Sequence, residues 1–305
     1  MTTQTKSAIQ TDLYTKVTEK IIAMLECGTI PWRKPWSGYG LARNYATGHI
    51  YTGINLILMN NTDHSIPCFM TFKQIKEQNG SIRKGAKAEM VMYFNVVFKD
   101  KSGNKLSAEE AGSMNRKEVQ VFRFLKYYNV FNVADIEGIE FTYPGVDLQA
   151  HEKIEKCENI IRAMPQPPEV VEYDSNRCYY NSVQDYVNMA EICQFQTPED
   201  YYATFFHELC HATGHEKRLA RPAISNPTKF GSEAYSEEEL VAEIGASFLC
   251  ASVGIDYQPV MDNAAAYIQG WLKVLKKDKT FIFKASAEAQ KAADFILGTY
   301  GRMKA

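Results

Sequence analysis

The sequence predicts an α+β protein of two domains, on three observations: its length, a change of hydrophobic periodicity along the chain, and a reversal of charge near the middle. The chain has 305 residues, and at roughly 150 residues per domain that is enough for two cores. With 45% hydrophobic and 23% charged residues, and 16 Phe, 18 Tyr and 3 Trp, it lies far from the profile of disordered chains. No apolar run approaches the roughly 18 to 20 residues needed to span a bilayer, and the opening MTTQTKSAIQTDLY lacks the apolar stretch of a signal peptide. The cytosol is the expected compartment. Seven cysteines are scattered with no CxxC pair, so neither a disulfide framework nor a thiolate zinc site is signalled. Buried, reduced thiols are expected.

Leu13, Val17, Ile21 and Leu25 recur at four-residue spacing, predicting an amphipathic helix over 10–26 that closes near Gly28. A loop follows in which Pro31 and Pro35 keep Trp32, Arg33, Lys34 and Trp36 on extended backbone. Between about 90 and 133, two runs rich in Val, Phe and Tyr flank a polar stretch with Ser102, Gly103 and Asn104, predicting strands. A linker is expected around 142–145, then a helix near 150–163, a turn at 165–168 and short strands through about 190. From about 197 onward helical patterns dominate. The expected division is residues 1–134, a linker 135–145, and residues 146–305.

Net charge hides an asymmetry between these parts. Residues 1–134 hold 18 Lys and Arg against 10 Asp and Glu, a net of +8, and the remainder carries −10. A basic half points to an anionic partner, nucleic acid first, although a solvated basic surface has the same composition.

His207-Glu208-Leu209-Cys210-His211 matches HExxH. On a helix the two imidazoles stand on one face and reach one ion, while Glu208 can act as general base toward a water at that ion. Composition alone would produce this pattern about 0.01 times per chain, so chance is a weak explanation. A zinc site needs a third protein ligand and an open fourth position. A glycine followed by a third histidine is one extension, but the position that histidine would take is Lys217. His215 is near, yet follows the expected helix end at Gly214, and suits a supporting or surface role. Downstream, in SEEELVAEIGASFLC, Glu239 and Glu243 share a helix face at i, i+4. One can coordinate while the other hydrogen-bonds a ligand imidazole. The pattern E-x-x-A-E-x-G-A resembles the third-ligand helix of the gluzincin peptidases, which favours Glu239 as ligand and Glu243 behind a histidine. Against this, Ser236-x-x-Glu239 also reads as a capping box that would turn Glu239 toward the helix start. Tyr235 is a candidate donor to a developing oxyanion.

Beyond these motifs, LYTKVTEKIIAMLECGTIPWRKPW, RNYATGHIYTGIN, TFKQIKEQNGSIRKGAKA, YYNVFNVADIEGIE, FFHELCHATGHEKRL and EEELVAEIGASFL, in this order, resemble the ArdC-type antirestriction proteins of conjugative plasmids. The resemblance implies a first domain that binds single-stranded DNA and a zincin-like metallopeptidase second domain. It also implies protection of incoming plasmid DNA against host restriction, with a protein of the host restriction machinery as possible substrate. Single-strand binders pair a basic groove with aromatic platforms, and Trp32, Arg33, Lys34, Trp36, Arg43, Tyr45, Tyr51, Lys73, Arg83, Lys84 and Lys87 offer both. The expected cofactor is Zn2+ or another divalent transition metal on His207, His211 and Glu239, with Glu208 as base. Two other readings are a DNA-binding shield whose metal site is structural or vestigial, and a general zinc protease that binds DNA incidentally.

Overall fold

The computed structural model describes residues 3–27, 29–32, 41–62, 64, 66–143, 150–172, 177–195, 197–225, 233–255 and 264–300. Arg33, Lys34 and Trp36 lie outside these. In chain order the elements of the first half are α1 (Thr3–Glu26), β1 (Arg43–Asn44), α2 (Ile54–Asn60), β2 (Cys68–Thr71), α3 (Phe72–Glu77), β3 (Ser81–Ile82), β4 (Glu89–Lys99), β5 (Lys105–Leu106), α4 (Ala108–Ser113), β6 (Gln120–Asn132) and β7 (Ile136–Glu137). The second half has α5 (Ala150–Ala163), β8 (Glu169–Val171), β9 (Tyr179–Asn181), β10 (Tyr186–Asn188), α6 (Pro198–Ala212), α7 (Pro222–Ser225), α8 (Glu233–Val253), α9 (Ala264–Lys277) and α10 (Phe281–Ile296). No helix among the described residues is long and apolar enough to cross a membrane.

The first half is organised by a five-stranded sheet of order β1-β2-β6-β4-β5. β1 pairs with β2 in parallel, and the other pairs are antiparallel. β4 and β6 form a long ribbon, register Glu89 to Val130 through Lys99 to Gln120. Val, Phe and Tyr fill both strands, as expected of residues that fit a pleated surface. The intervening polar stretch also carries β5 and α4, the latter begun by a capping box in which Glu110 N–H donates to Ser107 Oγ at 3.1 Å. The second half places a small sheet, β8-β10-β9, beside a bundle in which α8 packs between α6 and α10.

Both halves contribute to one hydrophobic cluster. Leu13, Val17, Ile21 and Leu25 face inward from α1, as their spacing requires, and Trp32 meets Trp271 of α9 edge-to-face with ring centroids 5.3 Å apart. Two polar contacts reinforce the seam: Thr18 Oγ1 donates to Lys279 O at 2.6 Å, and Gly53 N–H to Gln290 Oε1 at 3.1 Å. Where α8 crosses α6, Gly245 allows close approach, since a Cβ there would lie 2.7 Å from Cys210 Sγ. Of the cysteines, 68, 157, 210 and 250 are buried and 178 is half-buried, but Cys27 and Cys193 are exposed, so interior placement holds for only part of the set.

Candidate metal centre

Helix α6 starts at a defined point. Thr197 caps it, Asp200 N–H donating to Thr197 Oγ1 at 3.2 Å and Thr197 N–H to Asp200 Oδ2 at 3.1 Å, with Pro198 in the first turn. Phe206 and Leu209 bury its inner face, which leaves His207 and His211, one turn apart, on the side facing α8. Their Nε2 atoms are 3.1 Å apart. Helix α8 begins at Glu233, so Ser236 lies inside the helix and cannot cap it. The capping box suggested by the sequence is therefore absent, and Glu239 points across to the histidines. Its carboxylate oxygens lie 3.5 Å from His207 Nε2 and 3.6 Å from His211 Nε2. One ligand atom from each of the three residues falls within 4.8 Å of the other two.

These separations suit a small divalent ion. Two donors each about 2.05 Å from a tetrahedral ion stand about 3.3 Å apart, close to what the imidazoles and the carboxylate present. Each histidine is braced from behind. His207 Nδ1 lies 3.8 Å from Glu243 Oε1, and His211 Nδ1 lies 3.3 Å from Glu238 Oε1. This places carboxylates against the far nitrogens, the arrangement that orients metal-binding imidazoles. Glu238 is itself clamped by Arg221, which donates from Nη2 at 2.5 Å and Nε at 3.0 Å, and whose other donors reach Thr213 Oγ1 and Cys210 O at 2.7 Å each. The Arg221–Glu238 pair is buried, so these hydrogen bonds offset a desolvation cost that either group alone could not bear.

The electrostatics favour a cation. Burial opposes charge on His207, but the hydrogen bond with Glu239 and the carboxylates of Glu208, Glu239 and Glu243 outweigh it and raise the imidazole to about 9. Glu239 is likewise buried, yet His211 and His207, with a hydrogen bond from Tyr235, hold it at about 2. Tyr235 is thus engaged with Glu239. Glu208 is buried beside His207 on α6. His215 is turned elsewhere. It lies 3.8 Å from Asp185 Oδ2, in a cluster where Asp185 also accepts from Arg218 and from Tyr180 Oη at 2.9 Å. Sequence reasoning missed Glu238, Arg221 and Asp185. The run Glu237-Glu238-Glu239 before an apolar helix was the visible signal for the first, because burying two of three adjacent acids demands partners.

Among the described residues, the candidate nucleic-acid residues differ in placement. Trp32 is 1% and Tyr51 5% exposed, so neither offers a face to a base, and both are corrected to core residues. Core formation claims them because each has an edge-to-face aromatic neighbour, Trp271 and Phe69. Tyr45 is half-buried, its ring 5.0 Å from Phe141 and its hydroxyl accepting from Thr142 N–H at 3.2 Å. Arg43 Nε donates to Leu41 O at 3.2 Å. Lys73, Arg83, Lys84 and Lys87 are exposed, with Lys73 3.6 Å from Glu77 and Arg83 3.3 Å from Glu137.

An HExxH helix faced by an acid from a second helix, beside a small mixed sheet, defines a zincin-like metallopeptidase domain, here preceded by an α+β domain. Residues 155–288 match the family described as a zincin-like metallopeptidase, and residues 11–131 the N-terminal domain of anti-restriction factor ArdC. The metal-free structure of antirestriction protein ArdC from plasmid R388 matches at TM-score 0.75 and 35% identity, over 95% of this chain and 98% of that one. Its Mn(II)-bound form matches at TM-score 0.72 and 36% identity, over the same shares. The chain belongs to the ArdC antirestriction family. Uncharacterized protein y4eC of Sinorhizobium fredii is 30% identical over 305 residues, 97% of this chain and 95% of that protein. DNA primase TraC of Escherichia coli is 33% identical over 300 residues, covering 95% of this chain, which spans only 27% of the TraC length.

Proposed function

We propose that this chain protects incoming conjugative plasmid DNA from host restriction. In this reading residues 1–134 bind single-stranded DNA, 135–145 link, and 146–305 form a metal-dependent peptidase-like domain acting in the cytosol. The observation that carries the second part is the convergence of His207, His211 and Glu239 within 4.8 Å, with Glu208 buried next to His207. The Mn(II)-bound relative supports a divalent ion at this site, zinc being one that suits two imidazoles and a carboxylate. When bound, such an ion supplies Lewis acidity to a peptide carbonyl and to the attacking water. Glu208 takes the proton of that water and passes it to the leaving amine as the C–N bond breaks. Glu243 and Glu238 hold the imidazole rings in register. β9, an edge strand of its sheet and in contact with α6, can align an extended peptide by main-chain pairing.

The test is an antirestriction assay of Glu208→Gln against wild type at equal abundance, with metal content measured on both. Loss of protection with metal retained supports a catalytic role. Unchanged protection refutes it and leaves a DNA-binding shield with a structural metal.

A further inference from the structure

The β4–β6 ribbon exposes more large apolar surface than any packing duty explains. Tyr93 is 47%, Tyr128 51% and Phe122 40% exposed. Residues directly opposed in an antiparallel pair point to the same side, and the side alternates along each strand. The register opposes Tyr93 to Lys126, Val91 to Tyr128, Val97 to Phe122 and Lys99 to Gln120, so Tyr93, Tyr128, Phe122, Lys99 and Lys126 all share one face. The opposite face packs on the body of the protein only in part: Met92 and Leu125 are buried, the Phe94 ring lies 6.1 Å from Phe283 of α10 and Tyr127 lies under Lys16 of α1, while Phe94, Tyr127, Val96 and Val121 also stay exposed. On the shared face the rings contact their own ribbon. Tyr93 and Tyr128 meet edge-to-face at 5.8 Å, and Lys99 Nζ sits 5.6 Å over Phe122.

We propose that this face is the platform on which the chain stacks the bases of single-stranded nucleic acid, with Lys99 and Lys126 meeting the phosphates. The inference rests on reading the first half as a single-strand binder, and it relocates the contact from the positions the sequence suggested. Contiguous exposed apolar surface marks an interaction site, and charge selects the occupant. Along the two strands this face carries Lys99 and Lys126, and its one acidic residue, Glu89 at the start of β4, is paired with Lys20 of α1 at 3.4 Å. Rings interleaved with lysines are what a single strand requires, the rings for its bases and the cations for its phosphates. Side chains two apart on a strand stand about 7 Å apart, so the face offers several stacking positions in a row, as sheet-based single-strand binders do.

The experiment uses the full-length chain and a fluorescein-labelled single-stranded oligothymidine, with affinity measured over a range of salt. Tyr93→Ala plus Tyr128→Ala should weaken binding about tenfold or more at every salt concentration with little change of slope, and the corresponding Phe pair should restore it, because stacking needs the ring. Lys99→Ala plus Lys126→Ala should flatten the dependence of log affinity on log salt by about 0.7 per lysine. All four side chains reach solvent, and an unchanged melting temperature confirms that folding is intact. If wild type does not bind the oligonucleotide, the single-strand reading itself fails. If wild type binds and neither pair alters affinity or slope, that reading stands and the platform is overturned. Sedimentation showing a wild-type dimer that the tyrosine pair dissolves would also overturn it, assigning the face to a second copy of the chain.

Discussion

At the residue scale, the metal centre assigns unequal roles to three neighbouring acids of α8. Glu239 faces both Nε2 atoms, whereas Glu243 and Glu238 stand behind the rings. Glu239→Gln is therefore expected to abolish stoichiometric metal binding, and Glu243→Gln to keep about one ion per chain with affinity reduced about 10- to 100-fold. Elemental analysis with competition titration separates these outcomes, and full metal occupancy in Glu239→Gln would reverse the assignment. HExxH was legible because helix geometry fixes what i and i+4 can reach. The choice between Glu239 and Glu243 needed the point where α8 begins, since a capping box at Ser236 would have turned Glu239 away. The run of acids marked Glu238, but its pairing with Arg221 was not legible, because the two stand 17 residues apart and leave no local periodicity. Trp32 and Tyr51 failed as base platforms for a related reason: nothing local in the sequence says that they pack against Trp271 and Phe69.

At the element scale, α6 is held in place at the crossing with α8 and at its carboxy-terminal turn. Gly245→Val would push against Cys210 Sγ, so a loss of about 1–3 kcal/mol is expected, together with weaker metal binding, because α6 carries both histidines. A Cβ added at Gly112, on exposed α4, would meet nothing within 4 Å, and Gly112→Ala should stabilise by up to about 1 kcal/mol through helix propensity. Chemical denaturation reads both signs. Beyond α6, the turn between β9 and β10 is tied in through Asp185. Burial would raise its carboxyl, but hydrogen bonds from Arg218 and Tyr180 outweigh that and hold it below the usual 3.8. A depressed carboxylate stabilises the fold above its unfolded value of 3.8, and that contribution is lost as pH falls through the lower folded value. Asp185→Asn should therefore lower stability at neutral pH and flatten its decline on acidification; an acid profile identical to wild type would rule out this role. The long helices and the two long strands were legible from periodicity, whereas β5 and α4 were hidden because short elements carry too few residues to establish a period.

At the scale of the whole molecule, charge divides the chain while packing joins it. The reversal from +8 to −10 was readable by counting, but the seating of α1 against α9, far apart along the chain, was not, since nothing local encodes which apolar stripe covers which. The cluster that includes Leu13, Val17 and Trp32 from one half also contains Trp271, Leu275 and Ile282 from the other, and separating the halves would expose all of these at once. The two domains are therefore expected to unfold as one cooperative unit. Trp32 tests this directly, because it lies in the first half while its ring packs on the second. Trp32→Ala should cost about 3–5 kcal/mol. In a single cooperative unit that loss must appear in both halves together, so metal release and loss of oligonucleotide binding should shift to lower temperature by the same amount. Independent cores would give a different result, with binding lost early and the metal centre melting at its wild-type temperature. Calorimetry alongside the two functional readouts distinguishes these cases, and two separated transitions in the wild-type chain would refute the shared core.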